Sequence, residues 1–249
     1  MGATAIEFRL RMAITAAIVT LGFWAPWIEP WGLGKRITLL EWLALQLARL
    51  GLFSFTIAAQ VVIIAGAAIA AIAALLRVSG SAWLGPATVI HPKMQAAGVV
   101  ASGPYRFVRN PLYLGLWLMV AAMALAMPPT GALFAMVMMT LFLIRLTVSE
   151  ENFLSAQIGQ PYRNYLLAIP RFLPRLRSPL PESGAKAHWA RAVLSELTPI
   201  GVFITIAFLS WTYDHTLMVK AMLVSFGVSL VVRALMPRTL DGRSAVVSS

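Results

Sequence analysis

The sequence predicts an all-α fold, a polytopic membrane bundle of about six transmembrane helices. Two observations point there. Of 249 residues, 59% are hydrophobic and only 12% charged, far more apolar than a soluble domain of this length. Several apolar runs also approach the roughly 20 residues that cross a bilayer.

The spans are expected at 12–28, 52–76, 111–127, 131–148, 197–211 and 217–235. The first run follows Arg9 and Arg11 and imitates a signal peptide, but it is rich in Trp and closes on Pro26, Glu29 and Pro30 without a small-residue cleavage pattern. It reads as a retained span. In 38–50, Glu41, Gln46 and Arg49 fall within about 140° of one helical face. That spacing suits a short interfacial helix, or the first turns of a long second span. Met127-Pro128-Pro129-Thr130-Gly131 breaks the chain between the third and fourth runs and forces an antiparallel hairpin. The Pro-rich, basic stretch 169–181 is too interrupted for a helix and suits the headgroup surface, its arginines near anionic lipid. The organisation expected is N-terminal spans with the interfacial helix over 1–79, a core over 80–181, and two C-terminal spans with a polar tail over 182–249.

The formal charge of +11 is read as topological rather than as a nucleic-acid footprint. With six spans, only Lys35, Arg36, Arg49 and Lys220 of the 20 basic residues fall on one side. The positive-inside rule then puts both termini, 77–110 and 149–196 in the cytosol, at the inner membrane if the source is bacterial. Cys is absent, which excludes disulfides, thiolate nucleophiles and Cys metal sites. His91, His188 and His215 are widely separated, with no ligand spacing.

Polar residues gather at one place, SGPYRFVRNPLYLG over 102–115, with Glu150 and Glu151 closing the same hairpin. Pro111 pre-sets helical φ at a first helical position, and Asn110 before it is a good N-cap, so a span is expected to start there. Its N-terminus offers free N–H groups and partial positive charge, suited to a carboxylate or phosphate, with Tyr113 in the first turn. The Gly103-Pro104 turn brings Tyr105, Arg106 and Arg109 over the same opening. Arginines at this depth also snorkel to lipid phosphates, and tyrosines form interfacial belts. If the fourth span continues beyond the Glu pair, the two acids sit mid-helix about 100° apart and one can face the hairpin. Arg145, one turn deeper, is an ionisable residue near the membrane boundary and so a functional candidate.

The runs GPYRFVRNPLYLG (103–115) and EENFLSAQIGQPYRNYLLAIPRFLP (150–174) resemble the isoprenylcysteine carboxyl methyltransferases and the related phospholipid methyltransferases. The shared pattern is G-x-Y-x-x-x-R-[HN]-P-x-Y-x-G, an apolar hairpin, E-E and G-x-x-Y, with Gly159 and Tyr162 in the last element; the resemblance covers roughly 80–175. It implies an integral-membrane enzyme that moves a methyl group from S-adenosylmethionine to a lipophilic acceptor entering from the bilayer. It also implies a cofactor held by Gly98, Val99, Val100, Tyr105, Asn110, Pro111, Leu112, Tyr113, Glu150 and Glu151, with Arg109 or Arg145 orienting the acceptor. Two positions depart from the pattern. Asn110 stands where many members carry His. Leu146 holds the position, one turn before the first Glu, where prenylcysteine-acting members carry Arg, which weakens a prenylcysteine carboxylate as the acceptor. His91 is read as a structural loop residue.

A sterol-reductase-type membrane enzyme using NADPH shares a similar Arg-x-Pro-x-Tyr hairpin and is the same-class alternative. A non-catalytic transport or assembly protein is the other. Transporters place polar groups at the bilayer midplane, often in repeated halves, whereas here polarity collects at one mouth.

Overall fold

The structure is a computed structural model that describes residues 2–24, 37–51, 53–84, 101–181 and 186–235. Among these residues the regular structure is all helical. Helix α1 (Ala5–Arg9) leads into α2 (Arg11–Phe23), and α3 (Leu39–Arg49) precedes the long α4 (Phe55–Leu84). A 3₁₀ turn at Gly103–Arg106 precedes α5 (Pro111–Ala124), α6 (Pro129–Ile158) and α7 (Gln160–Ala168). Then come α8 (Trp189–Ser195), α9 (Leu197–Ile204) and α10 (His215–Leu235), with a π turn and a 3₁₀ turn between α9 and α10.

Three helices are long and apolar enough to cross a membrane: α4, α6 and α10 from Thr216 on. A fourth candidate is the pair Trp189–Ser195 and Leu197–Thr212, bent by 68° at its break. Helices α2 and α5 are apolar but shorter. The described residues therefore give three or four spans where the sequence suggested six. For α5 the cause is local: the chain leaves the helix through successive tight turns, with Leu125, Ala126 and Met127 donating to carbonyls three residues back, before Pro128. The result is a protein of the membrane. The lipid-facing character is plain on α4 and α6, where Leu75 and Leu133 are 70% and 67% exposed.

Helix α3 is a separate helix rather than the start of the second span. Thr38 and Glu41 form a capping box at its N-terminus, each satisfying the other's backbone N–H at 3.2 and 2.7 Å. The same device starts α1, with Thr4 and Glu7.

Small residues let the central helices approach. Helix α4 packs along α5, with Gly80 against Leu112 and Gly66 against Leu125. One core joins α2 to α5 and α6 through Ile18, Val120, Ala135 and Met139. A second joins α4 and α5 to α9 and α10 through Ala73, Met119, Val202 and Met222. The C-terminal helices are thus part of the bundle and close the side of α4 and α5 away from α6.

Candidate active site

Helix α5 begins at Pro111, as the Asn-Pro junction predicts. Asn110 occupies the N-cap position, but its side chain makes no capping bond; its amide donates to the Arg171 carbonyl at 3.4 Å. The ladder starts with Leu114 N–H on the Asn110 carbonyl, so the N–H groups of Leu112 and Tyr113 precede it. Among the described residues no side chain caps this helix end.

Helix α6 does not stop at the Glu pair and runs on to Ile158, which places both acids within a helix. The 100° between them then separates their environments. Glu150 is half-buried and faces α5, where the Tyr113 side chain lies within electrostatic reach of its carboxylate. Glu151 is 4% exposed and turns the other way. Arg109 Nη1 reaches its Oε1 at 3.2 Å, and Arg171 Nη2 its Oε2 at 2.6 Å. The Glu151 carboxylate holds the Arg171 guanidinium above even its ordinary range.

Arg109 does more than pair with Glu151. Its Nε and Nη2 donate to the carbonyls of Ile169 and Leu166, at the C-terminal end of α7. A cation there satisfies orphan carbonyls and meets the negative end of the helix dipole. Arg106 donates twice to the Leu180 carbonyl, at 3.1 and 3.0 Å, and Arg175 N–H reaches the Phe107 carbonyl at 2.9 Å. The loop 103–109 is therefore clamped between α6, α7 and the stretch 169–181, and the arginines of the motif are its clamps.

Tyr105 lies inside this clamp. Its carbonyl accepts from the Tyr165 hydroxyl at 2.9 Å. Its own hydroxyl is buried and has no partner among the described residues. Burial pushes its pKa well above the ordinary tyrosine value, and the negative charge of Glu150 adds to that, so the hydroxyl stays a neutral donor. Burial raises Tyr162 and Tyr165 in the same way. An orphaned buried donor beside Glu150 and an uncapped helix N-terminus is what a polar ligand at this place requires. Gly98, Val99, Val100 and His91 lie outside the described residues.

Arg145 meets Glu7 of α1, with Nη2 at 3.0 and 2.9 Å from the two carboxylate oxygens. The arginine holds the Glu7 carboxyl down at about 2. Ala3 is tied to α6 on both sides, by its N–H to the Arg145 carbonyl at 3.0 Å and by Ser149 Oγ to its own carbonyl at 2.7 Å. The N-terminal segment is thus laid against α6 one turn before Glu150, and Arg11, stacked on Phe8 at 4.4 Å, contributes positive charge near that carboxylate.

Sequence reasoning missed a second polar cluster. Arg77 crosses from α4 past Gly115, where a Cβ would lie 2.7 Å from Arg77 Cγ, and forms a two-pronged pair with Glu196 at 2.8 and 2.9 Å. Its Nη1 donates to the Leu112 carbonyl at 3.3 Å, in the first turn of α5. Beside it, Arg233 of α10 donates to the Ser195 carbonyl at 2.9 and 2.6 Å. The available signal was an ionisable residue within or flanking an apolar run, which describes Arg77, Glu196 and Arg233 equally.

A comparison with protein families matches residues 61–160 to the model described as phospholipid methyltransferase. Comparison with curated proteins and with solved structures finds no match. The matched stretch begins within α4 and ends at the first residue of α7, so it contains the clamped loop, the open N-terminus of α5 and both glutamates. It overlaps the motifs of the resemblance and leaves Tyr162 and helices α8, α9 and α10 outside. Residues 61–160 therefore match a phospholipid methyltransferase domain, which is consistent with the isoprenylcysteine carboxyl and phospholipid methyltransferase family of membrane methyltransferases.

Proposed function

We propose that the protein transfers a methyl group from S-adenosylmethionine to a lipophilic acceptor that enters from the bilayer, at a site on the cytosolic face of a six-span bundle with both termini cytosolic. The observation that carries this reading is the placement of Glu150 opposite Tyr113 across the α5–α6 hairpin, beside a helix N-terminus without a side-chain cap and the Tyr105 hydroxyl, unpaired among the described residues.

These groups fit the cofactor's polar parts. The N–H groups of Leu112 and Tyr113 suit its carboxylate, with Asn110 and Pro111 shaping the turn that exposes them. Glu150 suits its ammonium or ribose hydroxyls, and Tyr105 can donate to either oxygen set. Gly98, Val99 and Val100 are assigned to the same site by resemblance. When bound, the cofactor supplies an electrophilic methyl group on a sulfonium. The protein's task is then alignment and exclusion of water rather than acid–base chemistry. Glu151 and Arg109 act as positioning residues, because each holds the loop and α7 through the other. Arg145 acts through Glu7, by fixing the N-terminal segment beside the site.

Titration of the purified protein with S-adenosylhomocysteine tests the reading, with NADPH as the competing cofactor. Saturable binding of the former, abolished in Glu150→Ala, is expected. Binding of NADPH alone would overturn it.

A further inference from the structure

The stretch 169–181 that follows α7 has two faces of opposite character. Pro170, Pro174, Pro179 and Pro181 keep it extended rather than helical. Its inner face is stitched to the motif loop at three places. The Pro170 carbonyl accepts from Arg109 N–H at 2.9 Å, the Phe107 carbonyl accepts from Arg175 N–H at 2.9 Å, and the Leu180 carbonyl accepts from the Arg106 guanidinium. Ile169 and Leu180 pack with Tyr162 and Tyr165 of α7.

Outward, Leu176, Leu167 and Leu173 are 99%, 85% and 83% exposed, more than any other large hydrophobic side chain among the described residues, those on the lipid-facing spans included. Arg163, one turn before Leu167 on the same face of α7, is exposed, as are Arg175 and Arg177 on either side of Leu176. None of the three makes an ion pair among the described residues, whereas Arg171 is held on Glu151. Single exposed leucines are ordinary, but a run of them interleaved with arginines marks a surface that is covered by something. A phospholipid leaflet offers anionic oxygens with hydrocarbon just beneath, and so answers both residue types; an acidic protein answers only the arginines. The depth agrees. Glu151 lies roughly 33 Å along α6 from Pro129, just beyond an apolar layer of about 30 Å. Arg171 Nη2 is 2.6 Å from its carboxylate, so the stretch leaves α7 at headgroup level.

We infer that residues 163–177 form a docking surface for anionic lipid headgroups, and that its seating on the leaflet tightens the candidate cofactor site. The leucines enter the acyl boundary while Arg163, Arg175 and Arg177 take the phosphates. Each arginine at an anionic surface contributes roughly a fivefold gain in partitioning, so the three together give on the order of 100-fold. The route inward is short. The stretch shares three hydrogen-bonded joints with the loop that carries Tyr105, and a fourth joint with Glu151. What orders the stretch orders that loop, and cofactor and anionic lipid then strengthen each other's binding by the same factor. This second part rests on the reading of the hairpin as a methyl-donor site; the docking surface stands without it.

The full-length protein in nanodiscs tests both parts, with discs of phosphatidylcholine alone compared with equimolar phosphatidylcholine and phosphatidylglycerol. The chain has no Cys, so a nitroxide on Leu176→Cys reports depth through its accessibility to oxygen against a water-soluble nickel chelate. The label is expected to move toward oxygen in the anionic discs, and Arg163→Gln with Arg177→Gln should remove most of that shift. A label at the same depth in both discs overturns the docking surface, as does a shift undiminished in the double variant. The comparison of the two discs decides the matter even if the double variant does not fold. S-adenosylhomocysteine, which carries no net charge at neutral pH and is not concentrated by the leaflet, should bind the native protein about fivefold or more tightly in the anionic discs. Equal saturable binding in both discs overturns the coupling. Absence of binding in either overturns the methyltransferase reading instead, and the label then decides the docking surface alone.

Discussion

Arg77 and Glu196, 119 positions apart, form a buried two-pronged ion pair, and the Glu196 side chain is fully shielded from solvent. The pair joins α4 to the break between α8 and α9, and through the Leu112 carbonyl it also holds the first turn of α5. One interaction thereby fixes three helices beside the candidate active site.

Removing one partner leaves the other charge buried and uncompensated, which is more costly than losing the pair. Glu196→Gln is expected to destabilise the protein by about 3 kcal/mol, read as thermal unfolding in detergent. The double variant Arg77→Met with Glu196→Leu should recover most of that loss. A double variant as unstable as the single one would show that the pair itself, rather than the stranded charge, matters.

The Tyr113–Glu150 contact makes a graded prediction for donor binding. Tyr113→Phe removes the hydroxyl that faces the Glu150 carboxylate and should weaken S-adenosylhomocysteine binding by about tenfold. Glu150→Ala removes the carboxylate and should cost about 100-fold or more. Calorimetric titration of both variants against the native protein measures the two steps, and equal losses would show that the tyrosine acts only through Glu150.

Gly103 has φ +54, and a Cβ there would lie 2.2 Å from the Trp83 ring. Both facts oppose any side chain. Gly103→Ala should destabilise by roughly 2 kcal/mol, from the left-handed backbone and the forced shift of the indole together. Because Tyr105 is two residues on, donor affinity should fall as well. A variant that keeps both native stability and native affinity would mean the turn can relax without moving Tyr105.

The Glu7 carboxyl, held at about 2 instead of the ordinary 4.5, gives a pH dependence of defined sign. A carboxyl depressed in the folded state stabilises above its unfolded value and loses that contribution as pH falls through the folded one. Docking of the N-terminal segment on α6 should be complete above about pH 4.5 and lost as pH falls toward about 2. The chain has no Cys, so a single spin label at Ala3→Cys would report the segment's mobility. In Glu7→Gln or Arg145→Gln the label should already be mobile at neutral pH, with no further rise on acidification.

Much of this molecule follows from local rules that sequence displays directly. The membrane class follows from composition, the start of α5 from Asn110-Pro111, and the hairpin from the Pro-Pro break, because each depends on residues adjacent in the chain. The structure adds capping boxes at Thr4–Glu7 and Thr38–Glu41, and the second explains why α3 stands apart from α4. The cluster of tyrosines, arginines and glutamates was visible as a cluster. Their division of labour was not. Whether Glu150 or Glu151 faces α5 depends on the rotation of α6 about its axis, and an apolar span with little difference between its faces leaves that rotation to packing. Only the tertiary structure decided that Arg109 clamps α7, that Arg145 belongs to Glu7, and that Arg77 meets Glu196, 119 positions on, beside Arg233. The physical reason is common to all three. In a low-dielectric interior each buried charge must find a partner, and which one it finds is settled by the helix packing that brings them within reach.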